Sequence, residues 1–101
     1  MADFYLGGMK IANAEDVSKL FTYQVLKNGC DLNSIITFGF YKHQGGNKLL
    51  NQSPIDFAQY FVFGNGDSNN PRATQIAFGD NGQKPYFRNC GGSGWSKWSE
   101  L

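Results

Sequence analysis

Turn signals recur roughly every ten residues from Asp31 to the end of this chain, and that spacing is the signature of a meander of short strands. Gln44-Gly45-Gly46-Asn47, the long polar run from Gly64 to Pro71, Asp80-Asn81-Gly82 and Gly91-Gly92-Ser93-Gly94 are the breaks. Between them lie Ile35–Tyr41, Tyr60–Phe63, Ala73–Phe78 and Tyr86–Arg88. Nine Phe, five Tyr and two Trp bring the aromatic fraction to 16 %. Aromatic rings favour thin, half-buried pleated layers over helical bundles. The spacing therefore predicts an all-β fold for residues 30–101, a small antiparallel β-sandwich or meander. Gly39 inside its strand permits a bulge or a close approach. Tyr60-Phe61-Val62-Phe63 is apolar at every position, as in a strand covered on both faces. Expected core residues are Ile36, Phe40, Phe61, Phe63, Ile76, Phe78, Phe87 and Trp95.

The segment 1–29 reads differently, and two patterns compete within it. As a helix, residues 14–27 would start at an Asn13 cap, carry Glu15 and Asp16 in the first turn and stop at Asn28-Gly29. As a strand, Leu20, Thr22, Gln24 and Leu26 would share one face, with Phe21, Tyr23 and Val25 on the other. The β-branched and aromatic density after Ser18 favours one short helix or turn over residues 14–19, then a strand.

Several functional classes lack their residues. A net charge of +1, with Lys and Arg scattered singly, gives no footprint for nucleic acid. No stretch approaches the ~20 apolar residues of a membrane-spanning helix. The start of the chain shows no signal-peptide pattern. His43 is the single histidine, and no nucleophile elbow accompanies it. The carboxylates are dispersed among polar loops, with nothing to pair two of them as a glycosidase requires. Around Asp67 the oxygen-bearing side chains do not match a calcium-loop spacing. Neither a catalytic residue, a metal nor a cofactor is expected. Cys30 and Cys90 lack metal-ligand spacing and read as two reduced thiols, with a bridge the disfavoured alternative. Trp95 and Trp98 would fall on opposite faces of a regular strand, so that one ring meets a neighbouring subunit. If the ending is irregular, both rings cap one core instead.

In their order, several short pieces resemble the knob domain of pyocin and bacteriophage tail fibres. These are Asp31-Leu32-Asn33 ahead of Gly39-Phe40-Tyr41, then Asn51-Gln52-Ser53-Pro54, Phe61-Val62-Phe63, and Gln75 in Ala73-Thr74-Gln75-Ile76. Pro85-Tyr86-Phe87-Arg88 follows, and the chain closes on Gly94-Trp95-Ser96-Lys97-Trp98-Ser99-Glu100-Leu101, an ending such fibres share. The resemblance implies a homotrimeric structural protein of the virion, assembled in the host cytoplasm beside other virion proteins. Its knob would bind a bacterial surface polysaccharide without catalysis. Fibre knobs usually follow a long shaft, whereas about thirty residues precede this one and Met1 reads as a natural start. Either the fibre is truncated or residues 1–29 anchor or oligomerise a short virion protein, in which case a head-fibre, collar or decoration role without receptor binding fits. A small cell-wall glycan hydrolase is the alternative from another class.

No ligand residue transfers from the resemblance. The loops at His43–Lys48 and Asn65–Arg72 carry the densest polar sequence and offer little to a core. They make Tyr41, His43, Asn65, Asp67, Asn69, Asn70 and Arg72 the expected binding residues, with Tyr41 as a stacking platform and Arg72 as the partner of an acidic sugar or phosphate.

Overall fold

Each turn of the C-terminal two thirds returns the chain beside the strand it has just left. The computed structural model describes residues 4–6, 9–12, 22–80 and 82–101. The strands are β1 (Phe4–Leu6), β2 (Met9–Ala12), β3 (Tyr23–Leu26), β4 (Thr37–His43), β5 (Gln59–Asn65), β6 (Ala73–Phe78), β7 (Tyr86–Gly91), β8 (Gly94–Trp95) and β9 (Ser99–Glu100), with one 3-10 turn at Leu32–Ser34. β1 and β2 form a two-stranded antiparallel sheet, and the others form a seven-stranded sheet in the order β3-β4-β5-β6-β7-β8, with β9 also on β7. The all-β class is as the sequence predicts, and β4 to β8 realise its meander. Among the described residues there is no α-helix. The helix or turn expected over 14–19, with its Asn13 cap, lies outside the described residues.

One pairing departs from the antiparallel expectation. β3 runs parallel to β4, with Tyr23 beside Phe40 and Leu26 beside His43. The chain between them makes the crossover a parallel pair requires. Tyr23 and Val25 share one face and Leu26 takes the other, as the strand reading had them.

The sheet's buried face is covered by irregular chain. Leu26, Leu32, Leu49, Ile55 and Ala58 pack on Tyr41, Tyr60, Val62 and Ala77. The covering segments are laced together, since Leu32 donates its N–H to Leu50 at 3.0 Å and Leu50 donates to Cys30 at 2.8 Å. Tyr60 is fully buried, and its hydroxyl accepts the Ser53 N–H at 3.1 Å.

The expected core is therefore largely on the wrong face. Ile36 is buried as predicted, and Phe61, Ile76, Phe87 and Trp95 are half-buried, but Phe40, Phe63 and Phe78 are exposed. Strand β6 shows why. It buries Ala73, Gln75 and Ala77 and turns Thr74, Ile76 and Phe78 outward. Hydrophobicity alone cannot anticipate that choice, because what decides it is a polar residue with every need met inside.

Gly39 does mark a bulge, for the β4–β5 register shifts between Thr37 and Gly39. At Gly64 the demand is steric. A Cβ there would overlap the backbone carbonyl of Ile36, which has no side-chain freedom with which to yield. Gly64→Ala is expected to cost about 3 kcal/mol through overpacking, read as a lower urea midpoint at unchanged slope.

Candidate functional site

Six of the residues in the pieces that carried the resemblance, scattered from Asp31 to Trp98, meet in one cluster, while Phe40, Phe61 and Phe63 lie on the opposite face of the sheet. Gln75, fully buried, donates its amide N–H groups to the carbonyls of Leu32 at 2.7 Å and Ile35 at 2.9 Å. Its Oε1 accepts from Nε of Arg88 at 2.9 Å. The Arg88 guanidinium lies 4.1 Å from the Trp95 ring centre and 4.9 Å from that of Trp98. Trp98 donates its indole N–H to the Asn51 carbonyl at 3.1 Å, and the Asn51 amide donates to Asp31 at 2.8 Å. Burial pulls the pKa of Arg88 down, while Asp31 opposes that shift. Hydrogen bonds from Asn51 and Asn33 hold the Asp31 carboxyl below its usual range. Both tryptophans thus pack on the same guanidinium, Trp98 also packs on the core, and only Trp95 lies in a strand. This cluster builds the fold and leaves little surface for a ligand.

The loops expected to bind lie at opposite ends of β5, about 20 Å apart at ~3.3 Å per residue, and form no single site. In the Asn65–Arg72 loop the polar groups are largely spent on the loop itself. Asn65 accepts from the backbone N–H groups of Asp67 at 3.1 Å and Arg72 at 3.2 Å, and donates to the Asn70 carbonyl at 2.9 Å. Asp67 accepts from the Asn69 N–H at 3.0 Å. The Arg72 guanidinium donates to Asn70 Oδ1 at 2.8 Å and stands beside a shallow hollow of about 500 Å³, with Phe63, Thr74 and Asn89 among its lining. Arg72 remains exposed to an anion.

At the other end the expectation needs correcting. Tyr41 is 6 % exposed, points into the core and donates its hydroxyl to the Thr37 carbonyl at 2.8 Å, so it offers no platform. His43 is 5 % exposed. Its Nε2 donates to the Asn47 carbonyl at 2.7 Å, which ties the Gln44–Asn47 turn to β4. The exposed rings at this end are Phe57 and Tyr23, neither of which the sequence singles out as a binding residue. They stand with Lys42, Gln44, Gln59 and Asp80 around an open groove of about 640 Å³. The Lys42 ammonium lies 5.1 Å from the Tyr23 ring centre, a cation–π distance. Exposed rings flanked by amides and one charge of each sign equip this groove for binding a polar, flat-faced molecule.

A third feature is the outward face of the sheet. Phe38, Phe40, Phe61 and Phe63 form a continuous set, with ring centres 4.4 Å apart for Phe40 and Phe61 and 4.5 Å for Phe61 and Phe63.

Cys30 and Cys90 are free, and burial with the Asp31 charge pushes the Cys30 thiol up, away from reactivity. Among the described residues no group of three or more His, Cys, Asp or Glu is placed to hold a metal ion, and no helix is long and apolar enough to cross a membrane. Comparison with protein-family models, curated proteins and solved structures returns no match for this chain.

Proposed function

We propose that this chain is a non-enzymatic structural protein of a bacteriophage fibre or related virion part, whose knob-like domain binds a bacterial surface polysaccharide. The observation that carries the reading is the convergence of six residues from the pieces that resemble fibre knobs. Asp31, Asn51, Gln75, Arg88, Trp95 and Trp98 are separated by up to 67 positions, yet join in one network that fixes the sheet. Residues shared with fibre knobs for a reason of fold should do this, and a chance scatter of short motifs should not. A rigid sheet with its loops free is also how sugar-binding proteins hold exposed rings and amides in place.

The same reading makes the protein a homotrimer. Tyr60-Phe61-Val62-Phe63 has the sequence of a strand covered twice, and within one chain Phe63 stays 47 % exposed. Copies of the chain are the cover this proposal assigns.

Fluorescently tagged protein, applied to a panel of bacterial cells, should label a narrow set of strains. Periodate treatment of the cells should abolish labelling and protease treatment should not. Labelling that protease removes and periodate spares would overturn the polysaccharide reading.

A further inference from the structure

We propose that the groove beside Phe57 binds one neutral hexopyranose unit of a glycan, stacked by its C–H face on the Phe57 ring. This names the site for the polysaccharide reading above and rests on it.

One feature of the groove is not explained by the fold. Phe57 has φ of +55°, a left-handed backbone that a bulky residue rarely adopts, and its ring is nevertheless 60 % exposed. Strain that ends in an exposed ring, instead of a buried one, is what a binding platform looks like. The ring is seated, not loose, with its centre 5.3 Å from the His43 imidazole and its edge over Gly45. Beneath it the His43 ring is buried and its Nε2 is held by the Asn47 carbonyl, so the platform rests on a fixed base.

The remaining lining selects the class. Lys42 and Asp80 cancel in charge, which gives a phosphate chain or an acidic polymer no advantage. Gln44 and Gln59 offer both donors and acceptors, the pairing that ring hydroxyls require. At about 640 Å³ the groove lies within the range of small-ligand sites. A neutral sugar presents an apolar face and a polar rim together, matching a ring ringed by amides.

Phe57→Gly separates the platform from the fold, because glycine adopts a positive φ without strain. The test is titration calorimetry of full-length wild type and variant with polysaccharide purified from cells that the protein labels. Methyl glycosides of neutral hexoses serve as the minimal probe, followed by saturation-transfer NMR. Phe57→Gly should melt at or above the wild-type temperature and lose affinity about tenfold or more, as expected for removing an anchoring ring. Phe57→Trp should keep most of the affinity, and saturation should transfer to the ring C–H protons. Wild-type affinity in Phe57→Gly overturns the groove and leaves the polysaccharide reading standing. A cooperative loss of fold in Phe57→Gly overturns it as well, since the ring would then be structural. If wild type binds no polysaccharide at all, the broader reading falls and this site with it.

Discussion

Arg88→Ala is expected to lower the melting temperature by about 15 °C, the consequence of losing about 3 kcal/mol in a domain of this size. Three things go together in that substitution. The guanidinium leaves the space between Trp95 and Trp98, where it is sandwiched at cation–π distance from both rings. Gln75 Oε1 loses its donor at a site from which water is excluded, and an unpaired buried acceptor costs more than its hydrogen bond contributed. The Gln75 amide then holds the Leu32–Ser34 turn less firmly, although it is the polar link between that turn and β6. Arg88→Lys should not rescue, because an ammonium has neither the flat surface that lies between two rings nor the geometry to reach Gln75. In a double-mutant cycle, Gln75→Leu with Arg88→Met should cost clearly less than the sum of the single changes, since neither leaves the other's polar atom stranded. Thermal melts followed by near-ultraviolet circular dichroism report on the tryptophans directly. A melting temperature within a few degrees of wild type for Arg88→Ala would show that the cluster does not hold the sheet.

The second large effect is on assembly. Phe38→Asp combined with Phe63→Asp should convert the protein from trimer to monomer in sedimentation at micromolar concentration, with the β-sheet signal unchanged. Phe38, Phe40, Phe63 and Phe78 are between 39 and 47 % exposed. At ~200 Å² per aromatic side chain this amounts to on the order of 300 Å² of apolar surface. A stable interface buries about 800 Å² on each partner, so these four rings supply over a third of one before the rest of the face is included. Both substituted residues are already partly in water, which is why the fold should tolerate the change. Two carboxylates on each copy would be forced together in the assembly, without counter-charges on the Phe set. A wild-type chain that stays monomeric, or a variant that stays trimeric, would remove this face from the account.

The positions of β4 to β7 are legible in the sequence, because Gly, Asn, Asp and Pro cut the chain where the strands end. Which face is buried is not. Along Tyr60-Phe61-Val62-Phe63 both alternating sets are apolar, so periodicity offers no choice between Tyr60 with Val62 and Phe61 with Phe63. Hydrophobicity then misleads at β6 and β7, where Gln75 and Arg88 go inside and Phe78 goes out. The parallel β3–β4 pair is hidden for another reason, since it depends on a crossover whose local signals are those of any loop.

The site shows the same division. The polar density around Asn65–Arg72 identifies a surface loop correctly but says nothing about whether its groups are free, and most of them bond within the loop. Tyr41 looks like a platform because it adjoins a turn. One residue of strand alternation puts it in the core. Phe57 carries no warning at all, because a positive φ at a phenylalanine is imposed by its surroundings and has no local code.

On the proposed function, this protein holds a polysaccharide and does not cut it. Titration calorimetry with polysaccharide purified from labelled cells, run alongside an assay for new reducing ends, tests both halves on one sample. Saturable heat and a flat reducing-end signal over hours are expected. Reducing ends that accumulate with time, or no binding heat with polysaccharide from any labelled strain, would contradict that function.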